Sequence, residues 1–367
     1  MKKYLLYFLL AALSFFFGWI LNVTIQNKVP NLLKSITKPV SIETPLNLQQ
    51  YSIGKLSETS INPGKLKIIE IISEKEHFIS YLFEFEFNPD PTSNEFKKTT
   101  GQINLPAGRQ VSQNIKYPIV VMLRGYIDQD TFTTGDGTRR AAEVFAKEGF
   151  ITIAPDFLGY GGSDDEAGNI FESRFQTYVT TISLLKTLDS IAKDSSLIYF
   201  SDQLQPKDDW LLAKFNHSSI FFWAHSNGGQ IALTTLEITG AKYPTTLWAP
   251  VSKPFPYSVL YYTDQSMDEG KLIRSELSKF EENHDVKLYS LTNHLDKINA
   301  PLQIQQGTSD DAVPIAWSKT LVNKLQSLKK DITYYEYLYT DHNMRPSWDL
   351  VASRDLEFFK KHLTIDN

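Results

Sequence analysis

The chain contains no cysteine. No disulfide can staple the fold, and no thiolate is available as a nucleophile or metal ligand. A chain of 367 residues needs no cross-link to hold a core, and 23 Phe and 18 Tyr are on hand to fill one. An excess of charge of either sign is also missing. The formal net charge is -5, and no long basic run occurs beyond the extreme N-terminus, so the chain lacks the electrostatic footprint of a nucleic-acid partner. No histidine–carboxylate cluster has a metal-ligand spacing such as H-E-x-x-H, and nothing implies a cofactor. There is no internal repeat and no low-complexity tract.

One long uncharged run is present. Lys2 and Lys3 precede Tyr4–Val23, twenty residues without a charge. As a helix they would rise about 30 Å, enough to cross a bilayer, and the lysines favour an N-terminus left inside. The run is long for a signal peptide, and Val23-Thr24-Ile25-Gln26-Asn27 offers no small-residue cleavage site. The expectation is a single-pass anchor over residues 1–23 with the rest of the chain outside the cytoplasm; secretion after signal cleavage is the alternative. Residues 24–64, with Pro30, Pro39, Pro45 and Pro63, read as a polar stalk.

From residue 65 onward the pattern is that of one large domain. Leu66–Ile72, His77–Phe87 and Thr100–Leu105 alternate apolar and polar positions as strands do, placing Phe83, Phe85 and Phe87 on one face. Then Tyr117–Leu123, Phe150–Ala154, Ser219–Ala224, Thr245–Ala249, Leu302–Gln306 and Ile332–Tyr339 read as short apolar strands. Helical stretches separate them at Thr138–Lys147, Phe171–Ala192, Asn227–Ile238 and Ile315–Leu328, with a last helix at Ser347–His362. This predicts an α/β fold: a mostly parallel central sheet covered by helices on both faces, with N-terminal strands added. The charged segment 252–299 breaks the rhythm and reads as a small helical cap.

The chemistry is concentrated in three places. Phe221-Phe222-Trp223-Ala224-His225-Ser226-Asn227-Gly228-Gly229 is an apolar strand, a serine and the start of a helix. A serine ahead of a helix is commonly an N-cap, but this context matches the nucleophile elbow, G-x-S-x-G. Small residues two before and two after let the serine sit on a strained turn; Gly228 meets that need, and Ala224 stands where the pattern has glycine. The turn would aim the Asn227 N–H at a developing oxyanion. The acid and the base must follow in chain order. Asp310, in Gly307-Thr308-Ser309-Asp310-Asp311-Ala312-Val313-Pro314, follows an apolar strand; Asp311 is its rival. Of seven histidines, His342 alone lies in a loop after the strand that follows the acid. His225 adjoins the serine but suits a structural role. Ser226, Asp310 and His342 are therefore the expected nucleophile, orienting acid and general base. A second oxyanion donor is expected from Leu123-Arg124-Gly125-Tyr126. Arg124 stands where a histidine is usual and Gly125 makes the turn. Tyr126 either donates, through its N–H or its hydroxyl, or packs over the loop.

With these motifs in order, the stretch Ile79–Leu363 resembles the prolyl-oligopeptidase-like catalytic domains of the α/β-hydrolases. Gly101–Pro106, Tyr117-Pro118, Arg124-Gly125-Tyr126 and Ala154–Asp164 (APDFLGYGGSD) add to the resemblance. It implies a serine hydrolase that cleaves a peptide or an ester through an acyl-enzyme, and a tyrosine hydroxyl at position 126 that helps hold the oxyanion. The propeller of large oligopeptidases does not fit: a blade takes roughly 40 residues and at least four are needed, more than residues 24–116 supply. A carboxylesterase or lipase-type ester hydrolase is the alternative, and a non-catalytic binding protein on this fold a weaker one. The expected partners are a small peptide or ester substrate and, through the N-terminal helix, a membrane.

Overall fold

The computed structural model describes residues 47–107, 116–191, 193–204, 215–263 and 268–363. The apolar run Tyr4–Val23 and the first part of the expected stalk lie outside them. Among the described residues no helix is long and apolar enough to cross a membrane.

Ten strands form one sheet. In chain order they are β1 Lys65–Glu74, β2 Phe78–Phe87, β3 Lys97–Pro106, β4 Tyr117–Leu123, β5 Ile151–Pro155, β6 Ile198–Phe200, β7 Phe215–His225, β8 Thr245–Trp248, β9 Leu302–Gly307 and β10 Ile332–Tyr337. Their order across the sheet is β10-β9-β8-β7-β4-β5-β3-β2-β1-β6. The run from β10 to β5 is parallel. From β5 outward, β3, β2 and β1 pair antiparallel in turn. The short strand β6, for which the sequence pattern gave no sign, pairs parallel with β1 at the edge.

Among the described residues eight helices accompany the sheet: α1 Ile53–Glu58, α2 Arg139–Lys147, α3 Ile170–Ser190, α4 Asn227–Thr239, α5 Tyr257–Leu260, α6 Lys271–Asn283, α7 Ile315–Ser327 and α8 Trp348–Lys361. Parallel strands need helical crossovers, and a sheet covered on both faces can bury every side chain of a strand. The strand β4 shows this. Ile119, Val121 and Leu123 share one core with residues of α3 and α4, while Val120 and Met122 share another with residues of α2 and α8. On β2, Phe83, Phe85 and Phe87 are all fully buried, as the alternation predicts.

The compact unit spans Asn47–Asn367 and takes in part of the segment that reads as a stalk. Leu48, Tyr51, Ile53 and Leu56 are buried, so the second half of the expected stalk is core. The Tyr51 hydroxyl donates to Glu172 at 3.3 Å, and the Tyr289 hydroxyl donates to the Leu48 carbonyl at 3.1 Å. Four apolar residues at irregular spacing do not make a periodic signal, whereas the prolines ahead of them do signal loop, which is why the segment reads as polar. The insertion 252–299 is helical, as expected. Its Phe255, Phe280 and Tyr289 pack their rings against Phe175 of α3.

Candidate active site

The strand β7 ends at His225 and α4 starts at Asn227, leaving Ser226 alone on the turn. Its φ is 54° and its ψ -118°, a strained conformation for a residue with a Cβ. Neighbouring backbone over-determines it. The Ser226 N–H donates to Trp248 O at 2.9 Å, and its carbonyl accepts from Gly229 and Val251, both at 3.0 Å. The turn is possible because α4 starts hard against the end of β4. A methyl placed on Gly228 would lie 2.0 Å from the Leu123 carbonyl oxygen, so no larger residue fits. Ala224 is fully buried between Leu123 and Leu247 on the neighbouring strands, and its methyl is accommodated there. Position 125 is close as well: a methyl on Gly125 would lie 3.0 Å from Ser226 Cβ. The loop after β4 therefore lies directly against Ser226.

The loops after β9 and β10 bring the acid and the base together. His342 Nδ1 lies 2.9 Å from Asp310 Oδ2, with the Asp310 side chain fully buried and that of His342 15% exposed. Asp311 is exposed and makes no such contact, so of the two rivals it is Asp310 that reaches the histidine. The Asp310 carboxylate is held on both oxygens. Oδ1 accepts the N–H groups of Ala312 at 3.0 Å and Val313 at 2.8 Å; Oδ2 also accepts from Gln306 Nε2 at 2.8 Å. Burial pushes its pKa up, but the bonds from His342, Val313 and Gln306 outweigh this and leave it below the usual carboxylate value. Asp310 is thus an anion that accepts from Nδ1, which leaves Nε2 as the ring nitrogen able to take a proton.

His225 couples the two halves. It follows the strand alternation that also points Trp223 toward Trp248, and its ring lies 4.6 Å from that of His342, centroid to centroid. Its Nε2 donates to the His342 carbonyl oxygen at 3.0 Å. Burial, and the nearby His342, lower its pKa to about 4, so it is a neutral donor. The sequence reading gave this residue a structural role. The structure narrows that role: His225, adjacent to Ser226, holds the backbone of the His342 loop.

Arg124 takes a place that the sequence left open. It is buried, its guanidinium 3.9 Å from the Tyr160 ring centre and 4.7 Å from that of Phe132. Nη1 donates to the Gly125 carbonyl at 3.0 Å and Nη2 to the Asp156 carbonyl at 2.8 Å. The internal bond that a histidine would supply here is supplied by Arg124 instead. In a trans peptide the C=O and the following N–H point to opposite sides, so fixing the Gly125 carbonyl also fixes where the Tyr126 N–H points. Tyr126 itself is 75% exposed and does not pack over the loop. With Asn227 it lines a cavity of about 500 Å³.

Comparison with known proteins fits this geometry. Residues 193–366, which include Ser226, Asp310 and His342, match the profile of the Prolyl oligopeptidase family. Among solved structures the chain is similar to an acetyl xylan esterase from Paenibacillus sp. R4, at 15% identity and TM-score 0.58, covering 85% of this chain and 92% of that one. It is also similar to a puromycin-hydrolyzing peptidase of Mycobacterium tuberculosis, at 13% identity and TM-score 0.52, covering 79% and 46%. A Bacteroides ovatus protein provisionally assigned as a dipeptidyl aminopeptidase IV aligns at 15% identity and TM-score 0.52 over 77% of this chain. This chain spans 36% of that protein's length. No curated protein sequence matches. The fold is that of an α/β-hydrolase, and the match to the prolyl oligopeptidase family lies in its residues 193–366.

Proposed function

We propose that Ser226, His342 and Asp310 form a catalytic triad that hydrolyses a small peptide or ester through an acyl-enzyme. The observation that carries this reading is the 2.9 Å contact between His342 Nδ1 and Asp310, made by a carboxylate whose other lone pairs are already taken. His342 Nε2 accepts the Ser226 proton as the oxygen attacks the carbonyl, and later returns it to the leaving group. Asp310 fixes the tautomer and offsets the imidazolium charge. Water then hydrolyses the acyl-serine by the same steps in reverse.

The developing oxyanion is held by the Asn227 N–H, first in α4 and without an intrahelical acceptor, and by Tyr126 on the loop turned at Gly125. The bond from Arg124 to the Gly125 carbonyl supports the Tyr126 N–H as that second donor; the exposed hydroxyl is the other. For location, the uncharged run Tyr4–Val23 behind Lys2 and Lys3 supports a membrane tether with this domain outside the cytoplasm.

A fluorophosphonate probe tests the catalytic reading. The wild-type protein is expected to label on Ser226 and the Ser226→Ala variant not to label; equal labelling of both would refute it. A panel of p-nitrophenyl esters and aminoacyl anilides then ranks esters against amides.

A further inference from the structure

The cavity beside Asn227 has an uneven charge distribution. Its rim carries three exposed acids, Asp128, Asp130 and Glu166, of which Asp128 and Glu166 already have partners. Asp128 accepts the Asp130 N–H at 3.0 Å; Glu166 accepts from Gln129 Nε2 at 2.9 Å and from the Ser173 hydroxyl. Deeper in, half-buried, lies Arg174 of α3. Among the described residues no carboxylate stands within ion-pair distance of it, and its Nε is buried without a hydrogen-bond partner. Its Nη2 donates to Gln230 Oε1. Gln230 is itself buried and fixed by donating to the Tyr178 hydroxyl at 3.2 Å. The guanidinium is therefore positioned, charged and without a counter-ion, in a place where a carboxylate would gain two charge-assisted bonds.

We infer that Arg174 selects substrates whose acyl part carries a carboxylate. This rests on the catalytic reading above. The leaving group must lie beside His342, which protonates it. The cavity is lined by residues of the loops after β4 and β5, of α3 and of α4, with none from the Asp310 or His342 loops, so it receives the acyl side. Gln230 lies one helical turn beyond Asn227, about 4.5 Å along the axis, which sets the substrate carboxylate a few bonds from the reacting carbonyl. Monoesters of short dicarboxylic acids, and peptides with Asp or Glu on the acyl side of the cleaved bond, meet that description.

The test compares mono-p-nitrophenyl glutarate with p-nitrophenyl valerate, of equal chain length. The wild-type protein is expected to favour the glutarate ester at least about 10-fold in kcat/KM. Arg174→Met should collapse that ratio by about 10- to 100-fold, mainly through KM for the glutarate ester, as expected on losing a charged hydrogen-bond partner. Arg174→Lys, which keeps the charge but not the fork, should restore part of it. A wild-type enzyme that turns over valerate with no preference for glutarate, or a ratio unchanged in Arg174→Met, overturns the inference and leaves the triad standing. A protein that cleaves neither ester and takes no fluorophosphonate label refutes the triad and this inference with it.

Discussion

The ring of His225 lies 4.6 Å from that of His342, and its Nε2–H is bonded to the His342 carbonyl. A residue next to the proposed nucleophile thus anchors the loop that carries the proposed base. His225→Ala is expected to lower kcat about 10-fold with little change in KM, because the imidazole is positioned less well while the cavity is untouched. His225→Gln, which can still donate to the carbonyl, should recover part of the loss. A KM effect as large as the kcat effect would assign His225 to substrate binding instead.

Asp310 and Asp311 are neighbours with different fates. Asp310→Asn should reduce kcat by about 10⁴-fold, because it leaves the imidazole free to adopt the wrong tautomer. Asp311→Asn, on an exposed side chain, should stay within about twofold of wild type. Steady-state kinetics on one activated ester, with both proteins shown to be folded, decides this; equal losses would reassign the acid.

Arg124 tests how the oxyanion is held. Arg124→Met keeps the volume but frees the Gly125 carbonyl, and should lower kcat on the order of 100-fold, about the loss of one oxyanion donor. Tyr126→Phe removes only the hydroxyl. If the backbone N–H is the donor, its kcat should stay within a few-fold of wild type; a loss equal to that of Arg124→Met would make the hydroxyl the donor. Active-site titration corrects both for the folded fraction.

Gly228 allows the close approach of α4 to β4. Its added methyl would meet backbone, which cannot swing away, so Gly228→Ala should destabilise the fold by about 3 kcal/mol or more. Urea denaturation measures this directly, and a change under 1 kcal/mol would show that the helix can shift outward.

His225 also predicts a pH effect on stability. Its pKa is about 4 in the fold against roughly 6.5 when unfolded. The unfolded chain therefore binds more protons between these values, and stability rises with pH across that window. The contribution is fully present above pH 6.5 and is lost as pH falls toward 4, by up to roughly 3 kcal/mol. Urea titrations of wild type and His225→Gln across pH 4–7 should diverge on the acid side by that amount; parallel curves would show that the imidazole titrates alike in the folded and unfolded chain.

Much of this architecture is legible in the sequence because the signals are local. The apolar runs of β4, β5 and β9, the glycine two residues past Ser226, and the loops holding Asp310 and His342 each follow from residue type and spacing. What the sequence does not show is pairwise and distant. Nothing near Arg124 says that its guanidinium will close on the neighbouring Gly125 carbonyl between two aromatic rings. Nothing near His225 says which carbonyl it will find. Arg174 sits in a helix rich in buried residues, and only the approach of Gln230 from another helix shows it to be positioned. The strand β6 is three residues long and owes its pairing to β1, so its own composition carries little signal.

The backbone of Leu48 is gripped from both sides, its N–H by His284 at 2.9 Å and its carbonyl by Tyr289, while Tyr51 reaches Glu172 and Gln176 on the helix that bears Arg174. Residues 48–51 thus brace the helix that forms one wall of the cavity, and a protein trimmed back to residue 65 loses that brace.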